Sequence, residues 1–208
     1  KQSNLGCLFH RYGWLLSLEK GTDLEPRHIK ITKDSNPIGI LPNFVEDFEN
    51  TPFNRLVSIP LGHGGPIIST DEENVFNLIF ENLQEICDGV VAHNLKTQSV
   101  GYSRYGKVLE NEGYNARIGT CRSVVNLNKD WDEIKSGMKS GRRRSLNKGL
   151  KQDYEIIDKD ITKSTIKKFY KSYEKVTKRT GGTPRSYKFF QELKKNMSDR
   201  IKINTAFV

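Results

Sequence analysis

Residues 135–156 read KSGMKSGRRRSLNKGLKQDYEI. Three consecutive arginines, Arg142 to Arg144, precede Lys148, and no carboxylate falls between Lys139 and Lys151. At helical spacing Arg144, Lys148 and Lys151 share one face, with Leu146 and Leu150 opposite. The stretch therefore predicts an amphipathic basic helix running into a strand at YEIID. Three uses of that basic face stand side by side. It is a solvated surface, a nucleic-acid arm, or a grip on a phosphorylated substrate. Arginine suits the last because its planar fork makes bidentate contacts with phosphate oxygens. Each such charge-assisted bond contributes on the order of 1.5–3 kcal/mol.

The charge around this helix is unevenly shared. Residues 129–208 hold 22 Lys+Arg and 10 Asp+Glu, a net +12; residues 1–128 hold 12 and 15, a net −3; together they give the chain's +9. That asymmetry predicts two units, 1–128 and 129–208, the second facing an anionic partner. The chain starts on Lys1 and stops on the apolar run INTAFV, and the expectation is a fragment open at both ends. No run approaches the ~18 apolar residues of a membrane helix. Cys7, Cys87 and Cys121 are odd in number and far apart, which fits a reducing, cytoplasmic setting better than a disulfide framework. The four histidines show no metal-ligand spacing with them, so no metal site is expected.

Outward from the basic helix, both directions mix helices with short strands. Leu5, Leu8, Phe9, Tyr12, Leu15 and Leu16 predict a helix over 4–18. HIKITK, a DSNP turn and IGILP predict a hairpin, and RLVSIP another strand. Thr70 with Glu73 forms a capping box for a helix with Val75, Ile79, Leu83 and Ile86 as its apolar stripe. GVVAHNL and RIGTCRSVVNL read as strands. NKDWDEIKSG begins the second unit as a helix, with Trp131, Ile134 and Met138 on one face. Further on, residues 162–182 predict a helix burying Ile166, Phe169, Tyr170, Tyr173 and Val176 and stopping at Gly181. A second helix is capped by Thr183 with Pro184 in its first turn, and RIKINTAFV opens a sheet. The class is α+β.

Few residues carry recognisable chemistry. In GHGGP, Gly62, Gly64 and Gly65 allow positive φ and close backbone approach. The loop is either a tight connection or one wall of a substrate cleft, with His63 as a candidate acid or base. The aromatic set Phe169, Tyr170, Tyr173, Tyr187, Phe189 and Phe190 has helical spacing, which reads as core rather than base stacking. No P-loop or G-x-G-x-x-G supports ATP or NAD, and no G-x-S-x-G setting supports a serine nucleophile. Cys121, in a strand pattern, reads as a small buried apolar residue.

WDEIKSGMKSGRRRSLNKGLKQDYEI resembles the start of the second domain of the FemAB-like (FemXAB) acyltransferases, and FYKSYEKVTKRTGGTPRSYKFFQEL resembles the paired helices that follow there. NPIGILPNF, RLVSIPLGHGGPI and CRSVVNLNKDW are similar to the first domain's hairpin, glycine loop and closing strand. The resemblance implies tandem GNAT-like (acyl-CoA N-acyltransferase) domains, mixed sheets flanked by helices, with the second domain incomplete. It implies an amide-forming transferase that moves an acyl or aminoacyl group from acyl-CoA or aminoacyl-tRNA to an amine of a cell-wall or cell-surface precursor. No bound cofactor is expected, and acyl-CoA or aminoacyl-tRNA is the co-substrate. Lys139, Arg143, Arg144 and Lys148 are the expected holders of the anionic substrate or tRNA, and His63, Gly64 and Gly65 the expected cleft. The strand where some relatives carry an acidic residue reads AHNLKTQ, so no catalytic base is assigned. Direct attack of the amine on the acyl carbonyl needs no enzyme nucleophile. The alternative is a non-catalytic RNA- or tRNA-binding module.

Overall fold

The computed structural model describes residues 5–48, 50–119 and 124–207. The fold is mixed α+β, with three small sheets flanked by helices. Two compact units divide it. Residues 5–114 and 161–201 form one; residues 115–160 and 202–207 form the other. The charge-based boundary at 128/129 therefore does not mark where the compact units part, because the paired helices of the later sequence pack with the first unit.

In the first unit a single 3-10 turn, Leu8–His10, leads into α1 (Tyr12–Gly21). The helix expected over 4–18 thus begins later, since Arg11 takes extended backbone and acts as its N-cap. Strands β1 (Glu25–Pro26), β2 (Ile29–Lys33), β3 (Asn36–Leu41), β4 (Phe44–Asp47), β5 (Asn54–Val57) and β6 (Ile67–Ile68) follow. The β2–β3 hairpin turns at Asp34 and Ser35, both with positive φ, as a two-residue primed turn requires. Helix α2 (Glu72–Glu81) comes next, and its N-cap is Asp71, not Thr70; the Asp71 carboxylate caps no helix amide and instead accepts from Asn74 Nδ2 at 2.9 Å. Then come β7 (Val90–Asn94) and α3 (Ser99–Asn111). Strand β7 pairs parallel to β5, β5 antiparallel to β4, and β4 antiparallel to β1. The other sheet, β2–β3–β6, is antiparallel throughout. Ile29, Leu41 and Ile68 from it bury against Val75, Phe76 and Ile79 of α2 and Tyr105 and Leu109 of α3. That stripe recurs every three or four residues on α2, as an inward helix face must.

The second unit holds α4 (Trp131–Ser136), α5 (Ser140–Gly149) and β8 (Glu155–Lys159). Met138 falls beyond the end of α4. Residues 115–119 and 124–127 form no strand, so the strand expected at RIGTCRSVVNL is absent from its described part; Cys121 lies outside the described residues. Trp131, Leu150 and Ile156 are each at least half exposed.

Back in the first unit, α6 (Lys163–Arg179) is capped by Thr162 and α7 (Tyr187–Met197) by Ser186, each accepting from the backbone amide three residues on. The cap of α7 was expected at Thr183; Ser186 serves because its hydroxyl also donates to Gly21 O at 2.6 Å. Of the five residues expected buried on α6, only Ile166 is; Phe169 and Val176 are exposed. Strand β9 (Ile203–Phe207) pairs antiparallel with β8 in the second unit.

Helices α1 and α7 meet through small residues. Gly13, Ser17 and Gly21 are spaced by four and so share one face of α1. Ser17 is fully buried and its oxygen accepts from Asn196 Nδ2 at 3.2 Å. A Cβ on Gly21 would lie 2.5 Å from Phe189 Cα, and one on Gly13 would lie 2.5 Å from Asn196 O. Both obstacles are backbone and cannot rotate away. Gly21→Ala is expected to lower stability by roughly 1–3 kcal/mol, the cost of overpacking. Gly141→Ala in α5 meets nothing within 4 Å and is expected to stabilise by ~0.4–1 kcal/mol. Thermal melting of the two variants checks this; equal midpoints would contradict the close helix crossing.

Candidate functional site

Parallel strands direct their carboxyl ends, and the loops leaving them, to one side of a sheet, where open α/β sheets hold ligands. Here β5 and β7 are the parallel pair. The loop after β5 carries Ser58 to Pro66 and the loop after β7 carries Leu95 to Gln98. Ser58, fully buried, ties them together. Its amide donates to Asn94 O at 3.0 Å, its hydroxyl donates to Gly64 O at 2.7 Å and accepts from Lys96 N at 2.8 Å. Gly64 N donates to Lys96 O at 2.7 Å. The Cys7–His10 turn crosses this pair of loops. Its Phe9 ring stands edge-on to His63 at 4.9 Å, and Gly62, at φ 127°, leaves room for that ring, which an added Cβ would meet at 2.6 Å.

Between the turn and the loops lies a cleft of about 160 Å³, with His10, His63, Gly64, Gly65, Gln98 and Tyr105 in its wall. Gly64 is required by close approach, since a Cβ there would sit 2.2 Å from Ile59 Cδ1 and 2.9 Å from His10 Nε2. The amide nitrogen of Gln98 lies 3.1 and 3.0 Å from the two ring nitrogens of His63, so it donates to whichever is unprotonated. His10 Nδ1 lies 3.2 Å from Cys7 Sγ and His10 Nε2 lies 3.2 Å from Gly65 O. Burial pushes the His10 pKa down, the hydrogen bond to Gly65 O opposes this, and nearby His63 lowers it further. On the far wall Tyr105 donates to Glu72 at 2.5 Å; burial and then that hydrogen bond raise its pKa. Lys96, pushed down by burial, donates to Pro60 O at 3.1 Å. These groups offer the cleft two imidazoles, an amide and a phenol, enough to bind and move protons on a small polar group.

His63, Gly64 and Gly65 lie together in the wall of this cleft. Lys139, Arg143, Arg144 and Lys148 come together on and beside α5, in the other unit. Arg143 is engaged there, since its guanidinium donates to Ser136 O at 3.1 Å and holds the end of α4. Lys139, Arg144 and Lys148 are exposed, and none forms an ion pair among the described residues. The residues missed in the sequence are Cys7, His10 and Gln98. The signal for the first two is a Cys-x-x-His spacing, masked by the helical periodicity around it. Among the described residues no cluster of His, Cys, Asp and Glu fits a metal ion, and no helix is long and apolar enough to cross a membrane.

No protein-family model and no curated protein matches the chain. Among solved structures it matches the crystal structure of FemX, with a TM-score of 0.63 and 14% sequence identity over 98% of this chain and 53% of that one. The chain thus spans about half the length of the FemX structure. At this identity the likeness speaks for the fold. The chain has a FemX-like α+β fold.

Proposed function

We propose that the chain is part of an amide-forming acyltransferase, and that α5 holds an anionic portion of its substrate. The FemX-like fold over nearly the whole chain carries the reading, together with the sequence resemblance to the FemAB-like acyltransferases. The same reading takes residues 1–128 as a first GNAT-like domain and places 129–208 within a second. The donor is an acyl or aminoacyl group activated as an ester or thioester, on tRNA or on coenzyme A. The acceptor is an amine of a cell-wall or cell-surface precursor. The C–N bond forms, the bond to the donor's oxygen or sulfur breaks, and the amine loses a proton. Such chemistry asks for a neutral amine held close and donors aimed at the developing oxyanion. It also asks for a grip on the charged remainder of the substrate, for which Arg144 and Lys148, in no ion pair among the described residues, are placed with Lys139 beside them. The cytoplasm, where these donors are made, is the setting this implies.

The exposed basic face of α5, where Arg144 and Lys148 form no ion pair among the described residues, equally favours a second reading, a non-catalytic RNA- or tRNA-binding module. Equilibrium titration of the intact protein separates them. The ligands are a nucleotide-linked amine precursor, an aminoacyl-tRNA and an unrelated RNA of equal length. The transferase reading predicts saturable binding of the precursor and preference for aminoacyl-tRNA over the unrelated RNA. Equal binding of the two RNAs with a steep salt slope, and no binding of the precursor, would leave the RNA module.

A further inference from the structure

The cleft adjoins a thiol placed against a base. We propose that Cys7 is a nucleophile, with His10 as its base, that takes up an acyl group from an activated ester or thioester. The inference deepens the acyltransferase reading, although acyl uptake by Cys7 is tested without relying on it.

The tautomer of His10 follows from partners that each have one possible role. The Cys7 amide can only donate, and it lies 3.3 Å from His10 Nδ1. The Gly65 carbonyl can only accept, and it lies 3.2 Å from His10 Nε2. Nε2 therefore carries the hydrogen, and the Nδ1 lone pair faces Cys7. Cys7 Sγ lies 3.2 Å from that same Nδ1 and 3.7 Å from the His63 carbonyl oxygen, so Nδ1, which the Cys7 amide shares, is the nearer of two acceptors for the thiol proton and its ring is held by backbone at the opposite edge. Nucleophile, base and orienting group are the three parts that covalent catalysis requires. His63 adds a second imidazole, its Nδ1 3.8 Å from the sulfur. Cys7 is partly exposed and is flanked by Gly6 and His10 of the cleft wall. Burial pushes the His10 pKa down, in the direction a base requires. Cys87 is the internal contrast. Burial pushes its thiol up, and its sulfur has no imidazole partner among the described residues.

The step balances without an oxidant or reductant. A sulfur lone pair attacks the acyl carbonyl carbon while the thiol proton moves to His10 Nδ1. The S–C bond forms, the carbonyl's bond to the donor oxygen or sulfur breaks, and the leaving group takes the proton from His10. The acceptor amine then attacks the thioester. The C–N bond forms, the C–S bond breaks, and the amine proton returns through His10 to the sulfur. This supplies the enzyme nucleophile that direct attack does without.

The experiment treats the intact protein with p-nitrophenyl acetate, an activated acyl ester, and maps the acetyl group by peptide mass spectrometry. The expected result is one acetyl on Cys7, released by neutral hydroxylamine and formed at least about tenfold faster than on Cys87. His10→Asn is expected to slow it on the order of 100-fold, with circular dichroism confirming the fold. Equal acetylation of Cys7 and Cys87 in the wild type, a comparison that needs no variant, would overturn the proposal, as would an unchanged rate in a folded His10→Asn. Two further outcomes separate the claims. Acetylation of Cys7 with no amide formed from any biological donor would remove the acyltransferase reading and support the nucleophile. Amide formation at the wild-type rate by Cys7→Ser would overturn the nucleophile and leave the acyltransferase.

Discussion

Lowering the pH from 7 towards 4 is expected to destabilise the first unit by about 3 kcal/mol through His93 alone. His93 sits on β7 with Nε2 3.1 Å from Asn43 Oδ1 and Nδ1 2.5 Å from the Tyr114 hydroxyl. Asn43 is fully buried. With Nε2–H donating to Asn43 and Nδ1 accepting from Tyr114, the neutral ring satisfies both partners. A second ring proton has no acceptor unless the tyrosine hydroxyl turns away. Burial accordingly pushes the His93 pKa from 6.5 down to about 4. The sign follows directly. Below 6.5 the unfolded chain binds a proton at this residue and the folded chain does not, so unfolding takes up protons. Stability is full above about pH 6.5, falls with pH, and levels off once the folded group also titrates near 4. His10 and His28, both lowered chiefly by burial, act in the same direction. Glu72, held below its ordinary value by the Arg104 hydrogen bond, adds its loss only at the acid end. Denaturant midpoints at pH 7, 6, 5 and 4 measure the slope. His93→Gln, which cannot titrate, should flatten it, and an unchanged slope in that variant would reject His93 as its source.

Replacing both Arg144 and Lys148 by alanine is expected to weaken binding of an anionic substrate by about 2–4 kcal/mol if both contact phosphate. Stability should change by no more than about 0.5 kcal/mol, because both side chains are exposed and touch no core feature. They lie four residues apart on α5 and therefore share a face. Leu146, half-buried on the other side, is left in place. The binding loss should shrink as salt rises, since screening already weakens the wild-type contact. Arg143→Ala is a different experiment, because Arg143 holds the carboxyl end of α4 at Ser136 O, and it should cost stability as well as affinity. Unchanged affinity of the double variant for precursor, aminoacyl-tRNA and unrelated RNA would leave α5 as a solubilising face.

The local elements were legible where periodicity was strong. The β2–β3 hairpin, β5, β7, α2, α5, α6, β8 and β9 follow from alternation, helical spacing or turn residues. Helix α3 was not legible, because Gly101 and Gly106 each cost about 1 kcal/mol of helix propensity. Packing of Tyr105 and Leu109 into the core overrides that cost. The cap of α2 moved by one residue to Asp71, which adopts positive φ, a backbone choice that no spacing rule reveals. The division into compact units was not legible in the charge pattern, for a different reason. Charge composition changes at 129, but compactness is decided by Gly13, Ser17 and Gly21 receiving α7 from more than 160 residues away. At the cleft, the glycine loop announced itself by composition. Cys7 and His10 did not, because their neighbours Leu5, Leu8 and Phe9 read as an apolar helix face, and the base becomes visible only when Gly65 O fixes its tautomer.

Amide-bond formation is the central claim, and product mass spectrometry tests it most directly. The full-length protein would be given an amine-bearing nucleotide-linked precursor, with aminoacyl-tRNA and acyl-CoA offered in separate reactions. The account predicts that one donor yields a precursor heavier by one acyl or aminoacyl group, joined through a bond that hydroxylamine does not cleave. That product should fall with the Arg144→Ala, Lys148→Ala double variant. Unmodified precursor with both donors, from a folded protein that binds them, would contradict it.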